Sequence, residues 1–277
     1  MLPQLETAYM KTGEGYRKER IPKSRKLIVE SCDYALRKHR MIGLFEADIT
    51  DARKRIHEYK ESSGESLSFT GWIATCVGKA IDEHKQVHAL KIGKHFVIFD
   101  DINIAILVET VIEGRAYPIN YILREANHKS VIEINNEIRD AQKKKEDDYT
   151  EADENRRIKM LLSAPKFLRD LLFWRKVRRD PSFIKENMGT VTITSVGMFG
   201  QSGGWAIPLG LHAVSIALGG IAHKPGYVGE RVEKREYLSL TVVLDHDVVD
   251  GAPATRFVAR LVELLEGSYG LENLSIT

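Results

Sequence analysis

His246 is the side chain best suited, by type and setting, to move a proton in this 277-residue chain. It lies in the stretch LSLTVVLDHDVVDG, residues Leu238 to Gly251. Leu238, Leu240, Val242 and Leu244 recur at period two, with Ser239, Thr241 and Val243 between them. That spacing predicts a strand covered well on one face and partly on the other. Beyond Asp245-His246-Asp247, Pro253 suits the first turn of a helix that Asp250 or Gly251 can cap. Phe257, Leu261, Leu264 and Leu265 continue that helix at its own period. The imidazole thus stands where a strand turns into a helix, and there it can act as a general base near neutral pH. A histidine between two aspartates equally fits a surface ion-pair group, so the triplet alone assigns no chemistry.

A second set of candidates is the hydroxyl run Thr190, Thr192, Thr194 and Ser195 in the expected strand Gly189 to Val196. Neighbouring side chains on a strand face opposite ways, so only one of Thr194 and Ser195 can reach any one site. Gly197, Gly200, Gly203 and Gly204 then permit close backbone approach to a ligand, without the spacing or the lysine of a phosphate loop. His84 and His88 have the i, i+4 spacing of a metal pair but no evident third ligand, so they read as residues near a helix end.

His246, Asp250 and Gly251 resemble the HxxxDG signature of the coenzyme A-dependent acyltransferases. The longer DHDVVDGAPATRFVARLVELLE is similar to the C-terminal motif of the dihydrolipoyl acyltransferases of 2-oxoacid dehydrogenase complexes. GTVTITSVGMFG, Gly189 to Gly200, resembles that family's other signature, in the right order and separation. The resemblance implies an α/β (α+β) fold, a mixed sheet sandwiched by helices as in chloramphenicol acetyltransferase, forming trimers. It also implies a site between subunits, with His246 as base and a hydroxyl, Thr194 or Ser195, donating to the oxyanion. Asp250 would brace the turn with Arg25 as its partner, and Gly251 would allow a tight exit. Asn103, residues near Pro118, and Gly197 would border the substrate channel. Coenzyme A is implied as a substrate, with no metal.

The elements that must position these groups are legible in outline. Residues 1 to about 20 form a polar arm, and the catalytic domain spans 21 to 277. A helix follows Ile21-Pro22-Lys23-Ser24, with Leu27, Ile28, Cys32 and Leu36 at helical intervals. Met41 to Thr50 reads as a strand, and Asp48 or Thr50 can cap the helix after it. Thr70 to about Lys85 is a second helix, with Ile73, Cys76, Val77 and Ile81 inward. Lys94 to Phe99, a central Asn103 to Thr110, and Ile119 to Leu123 read as strands before a helix from Ser130 to Lys144. His212 to Gly220 is another strand, with a turn-rich hairpin at Pro225 to Glu233.

Residues 143–183 depart from the family pattern as a helical insertion. Its first part is charged; its second carries Met160, Leu161, Leu162, Phe167, Leu168, Leu171, Leu172, Phe173 and Trp174 among basic residues. Such a helix can lie on a membrane or in a partner's groove, but apolar helix faces are usually core, which favours packing on this protein. Asp247 also stands where the family usually has arginine.

Composition frames the rest. A net charge of +2, with 43% hydrophobic and 29% charged residues, fits a globular protein and gives no case for nucleic acid as a partner. Two cysteines without metal spacing, a polar N-terminus and no long apolar run point to the cytoplasm. The sequence shows no lipoyl or subunit-binding domain, so a lipoyl group would come from another protein in trans, or the acceptor would be another thiol, an amine or a hydroxyl. The expected function is acyl transfer between coenzyme A and a dihydrolipoyl-like thiol, by a homotrimer that can build a larger cage. The alternative is a non-catalytic trimeric scaffold that recruits a partner or membrane through residues 158–179.

Overall fold

The computed structural model describes residues 10–11, 16–18, 21–112, 115–143, 160–196, 203–272 and 274. The expectations for Pro118 and Gly197, for most of the N-terminal arm and for residues 144–159 fall outside the residues or side chains it describes.

A two-residue ribbon, β1 (Met10–Lys11) with β2 (Arg17–Lys18), precedes α1 (Lys23–Ala35). Then come β3 (Arg40–Asp48), α2 (Thr50–Ser63), α3 (Phe69–Glu83) and the small hairpin of β4 (Leu90–Ile92) and β5 (His95–Val97). The long pair β6 (Ile104–Ile112) and β7 (Arg115–Leu123) leads to α4 (Val131–Lys143). The inserted stretch holds α5 (Lys166–Arg169), a π turn (Asp170–Trp174), α6 (Arg175–Arg179) and α7 (Pro181–Asn187). The chain ends on β8 (Val191–Ser195), β9 (Val214–Val228), β10 (Arg231–Asp245) and α8 (Gly251–Glu266).

Six strands form one mixed sheet in the order β3-β10-β9-β8-β6-β7. β8 runs parallel to both β6 and β9, and the other pairings are antiparallel. Leu238, Leu240, Val242 and Leu244 of β10 join Val214, Ile216, Val191, Ile193, Ile104 and Ile106 on one face. Trp72, Ile73 and Val77 of α3, Ile134 and Ile138 of α4, and Phe257, Leu261 and Leu265 of α8 cover that face. Burying so many branched side chains, each contributing about 1.5–3 kcal/mol, fixes the strand register and so the position of β10's last residue. The other face is buried too, since Ser239, Thr241 and Asp245 are all covered. Residues 203–212 cross it closely: a Cβ on Gly219 would lie 2.0 Å from the Gly204 carbonyl oxygen, and Gly220 N–H donates to that oxygen.

Several expected boundaries move. β6 is not central but next to the edge, between β7 and β8. Pro225 lies within β9, not in a turn, because the β9–β10 hairpin runs past the end of β8. There β9 has a single neighbour, so a missing N–H on its open side breaks no ladder. α3 starts on Ser68, whose Oγ accepts from Gly71 N–H, rather than on Thr70. Asp48 does support α2, accepting from the Thr50 N–H and hydroxyl at 3.0 and 2.6 Å.

The inserted helix folds onto α1. Arg169 and Trp174, both buried, hydrogen-bond the buried Glu30 carboxylate, Arg169 Nε at 3.1 Å and Trp174 Nε1 at 2.8 Å. The Trp174 ring stacks on Tyr34 of α1 at 4.4 Å. Phe167, Leu171 and Leu172 remain exposed on the outer side.

Candidate active site

The turn bearing His246 is held mainly by backbone and by charges distant in sequence. Asp245 N–H donates to Ala213 O at 2.9 Å, and His246 N–H donates to His39 O at 2.7 Å. Val248 and Val249 N–H groups both return to Asp245 O, and the buried Val249 side chain pins the turn to the core. Asp245 is 3% exposed, a cost offset by Lys38 Nζ at 2.7 Å. Asp247 accepts from His39 at 2.9 Å and Lys91 at 3.1 Å, and these partners, His39 first, hold its carboxyl below the usual carboxylate range. Arg40 ties the neighbouring loop down through the carbonyls of His212 and Gly210.

On this clamped turn the His246 side chain is half exposed, with Nδ1 3.8 Å from the Asp250 carboxylate. Asp250 sits at the N-terminus of α8, where the helix dipole favours negative charge, and its side chain caps no backbone group. A carboxylate beside Nδ1 favours the tautomer protonated there, which leaves Nε2 as the basic nitrogen.

β8 separates the two hydroxyl candidates. Val191 and Ile193 point into the helix-covered core, so Ser195 shares their face by alternation, while Thr192 and Thr194 share the other. Residues 203–212 cover that other face, with Gly210 packed against Thr192 and Ser215. Register also fixes the distance to His246. Thr194 pairs with Ala217, and Ala217 with Thr241, five positions before His246. Five residues along a strand and two strand spacings across place Thr194 and His246 about 19 Å apart in one chain. Neither hydroxyl can touch an atom that the same chain's imidazole touches.

Two expected roles are corrected, and a third finds no partner within one chain. Asn103 does not border a channel: it is 2% exposed, and its amide donates to Lys185 O and accepts from Glu125 N–H. Gly251 is not needed for a tight exit, because its φ is not positive and a Cβ there would meet nothing within 4 Å. Within the chain Arg25 is exposed and makes no ion pair with Asp250, whose carboxylate faces His246 instead. Lys38, His39, Arg40 and Lys91, which build the turn's support, carry no motif: Lys38, His39 and Lys91 pair with Asp245 and Asp247, and Arg40 with the carbonyls of His212 and Gly210, all across more than 150 positions. Among the described residues no three His, Cys, Asp or Glu side chains gather as a metal site. His88 is buried against the Phe99 ring, and burial lowers its pKa to about 4.

The family model for 2-oxoacid dehydrogenases acyltransferase (catalytic domain) matches residues 14–163 and 181–272. The chain belongs to that family. Only the helical stretch between the two matched segments, 164–180, interrupts the match. The chain is 24% identical over 228 residues to the Bacillus subtilis lipoamide acyltransferase component of the branched-chain alpha-keto acid dehydrogenase complex, covering 80% of this chain and 46% of that protein. It thus spans about half the length of that relative. The fold is that of a solved probable dihydrolipoamide acetyltransferase from Listeria monocytogenes: TM-score 0.68, 19% identity, 96% of this chain and all of that one. A second solved relative, from Azotobacter vinelandii, has a TM-score of 0.65 at 16% identity and covers 93% of this chain and 96% of that one. In that dihydrolipoamide acetyltransferase the catalytic roles of a serine, a histidine and an asparagine have been investigated. No helix among the described residues is long and apolar enough to cross a membrane.

Proposed function

We propose that the chain moves acyl groups between coenzyme A and a dihydrolipoyl-type thiol, with His246 as general base. The observation that carries this reading is the half-exposed imidazole on a fully braced turn, with a carboxylate beside one nitrogen and, among the described residues, no partner on the other. A thiol of pKa near 8.5 is mostly protonated at neutral pH, and its thiolate is the nucleophile. His246 Nε2 takes the thiol proton as sulfur attacks the thioester carbonyl. The tetrahedral oxyanion then collapses, breaking the old carbon–sulfur bond, and the departing thiolate receives the proton back from the imidazolium.

Of the two hydroxyls, we assign oxyanion stabilisation to Thr194. It stands 52 positions before His246, and Asp250 stands four after it. These are the separations among the serine, histidine and asparagine of the Azotobacter protein. With about 19 Å between Thr194 and His246 in one chain, the working site joins His246 of one copy to Thr194 of another, consistent with a homotrimer. A lipoyl group then reaches the site on another domain or protein.

The test is acyl exchange between acetyl-coenzyme A and dihydrolipoamide, extended to other acyl-coenzyme A donors and small thiols. The reading requires turnover with at least one pair and its loss in His246→Ala. No turnover across the panel, with coenzyme A binding also absent, would leave only the architecture.

A further inference from the structure

The inserted helix has two sides, and the fold uses only one. Arg169 and Trp174 are buried against Glu30 of α1, and Val177 is half-buried on that side. Away from it, Phe167, Leu171 and Leu172 are 68%, 53% and 59% exposed. Leu171, Arg175 and Arg179 fall at four-residue steps, and so do Leu172 and Lys176. The three basic residues, all exposed, thus continue the rows that the two leucines begin.

A second observation is where the charge of the chain sits. Residues 166–179 hold six basic side chains and one acidic, a net of +5 in a chain whose total is +2, so the other 263 residues carry −3. Lys166 is paired with Asp170, and Arg169 with Glu30. Arg175, Lys176 and Arg179 meet no carboxylate among the described residues, and the Lys176 ammonium lies 5.6 Å from the Phe183 ring centre. Positive charge concentrated in this way turns the exposed side of the helix towards an anionic surface.

We propose that this side docks on an anionic lipid bilayer, with Phe167, Leu171 and Leu172 at the headgroup boundary and Arg175, Lys176 and Arg179 on lipid phosphates. A helix that presents Phe and Leu beside Lys and Arg lies in the plane of a membrane interface. It lies on the bilayer and does not cross it. Lys166 to Arg179 spans about 21 Å at 1.5 Å per residue, short of a hydrocarbon core of about 30 Å. A protein groove would have to supply both a fitted apolar socket and an acidic rim. A fluid anionic surface supplies both to side chains whose charged ends have no carboxylate partner, and it covers an apolar patch that the fold leaves open. Residues 164–180 stand outside the matched family segments, so the docking side belongs to this chain's added helix. The inner side of that helix faces the His246 turn, since Val177 and Arg178 line one cavity with Asp245 and Asp247. A bilayer on the outer side therefore does not press on that turn.

Co-sedimentation of the full chain with vesicles tests this, using phosphatidylglycerol mixed with phosphatidylcholine, and phosphatidylcholine alone. The expected result is binding to the mixed vesicles, little to the neutral ones, and release by high salt. A basic residue beside an anionic surface is worth about fivefold in partitioning. Arg175→Gln, Lys176→Gln and Arg179→Gln together should therefore weaken binding about a hundredfold. Leu171→Gln with Leu172→Gln should weaken it about tenfold or more. Tyr227→Ser, which removes an exposed ring elsewhere, should bind as the parent does. All are surface changes, so Tm and acyl exchange in solution should match the parent's, and the outcome stands apart from the catalytic reading. No binding to the mixed vesicles, equal binding to both kinds, or binding that survives either set of substitutions would overturn the proposal. So would dissociation of the homo-oligomer in the leucine variant, which would make this side a contact between copies.

Discussion

Arg169 and Trp174, five positions apart, share one carboxylate: both donate to Glu30, which is buried with them beneath the inserted helix. Arg169, the larger influence, and Trp174 hold the Glu30 carboxyl below its ordinary range. Removing one partner of a buried pair leaves a charge with neither water nor counter-ion, at a cost of about 3–5 kcal/mol. Glu30→Ala should therefore lower Tm by roughly 10 °C at neutral pH, given about 2–4 °C per kcal/mol in a chain of this size. Because the folded pKa is depressed, the carboxylate's contribution is present above about pH 4.5 and is lost as pH falls through the folded value. Thermal melts of parent and variant should converge under strong acid, and an unchanged Tm at pH 7 would show that the insertion is not anchored this way.

His246→Ala should reduce acyl exchange by about 10²- to 10⁴-fold, the usual contribution of a positioned general base. The side chain is half exposed and the turn is held by its backbone, so Tm should stay within about 1–2 °C of the parent. Steady-state kinetics and a melt on the same sample check both halves. A rate loss accompanied by a collapse in Tm would make the residue structural instead.

What the sequence made legible follows from how local each signal is. The period-two set Leu238, Leu240, Val242 and Leu244 marks the core face of β10, because strand alternation is read within a few residues. The start of β10 at Arg231 was hidden, since that half of the hairpin is charged, partly exposed and paired with β9 alone. The clamp on the histidine turn was hidden for a different reason. Lys38 and Asp245 lie 207 positions apart, and nothing near either announces the other. Asn103 misled because a polar residue opening a strand looks available to a ligand, whereas backbone groups consume its amide. The anchor of the inserted helix needed the π turn, since α-helical spacing puts Arg169 and Trp174 on different sides.

Stability should fall steadily from about pH 6.5 towards pH 4, and the buried His88 and the half-buried His212 account for much of the slope. Burial is the leading cause that lowers both His88 and His212 to about 4. Unfolding frees them to bind protons with ordinary pKa near 6.5, so between those values the unfolded state holds more protons and acid favours it. Each contributes up to about 1.4 kcal/mol per pH unit in that window. His88→Phe, which keeps an aromatic ring beside Phe99, should flatten the curve by about that amount while leaving the His212 share. Urea titrations at half-unit intervals from pH 4.5 to 7 would show it, and an unchanged slope would mean that His88 is protonated in the folded protein.

Thr194→Val should lower exchange about 10²- to 10³-fold, the cost of one lost oxyanion donor, while Ser195→Ala should change it less than about threefold. The reason is the face each side chain takes on β8: Ser195 shares that of Val191 and Ile193, and Thr194 does not. The two strong variants also test where the site is assembled. With about 19 Å between Thr194 and His246 in one chain, a protomer carrying Thr194→Val still offers an intact imidazole to its neighbour. One carrying His246→Ala still offers an intact hydroxyl. Co-refolded at equal amounts, the two inactive variants should regain a substantial fraction of parent activity, because some interfaces then pair a good histidine with a good threonine. Activity that stayed at the level of the separate variants, in assemblies shown by mass spectrometry to be mixed, would place both groups' work within one chain and refute the shared site.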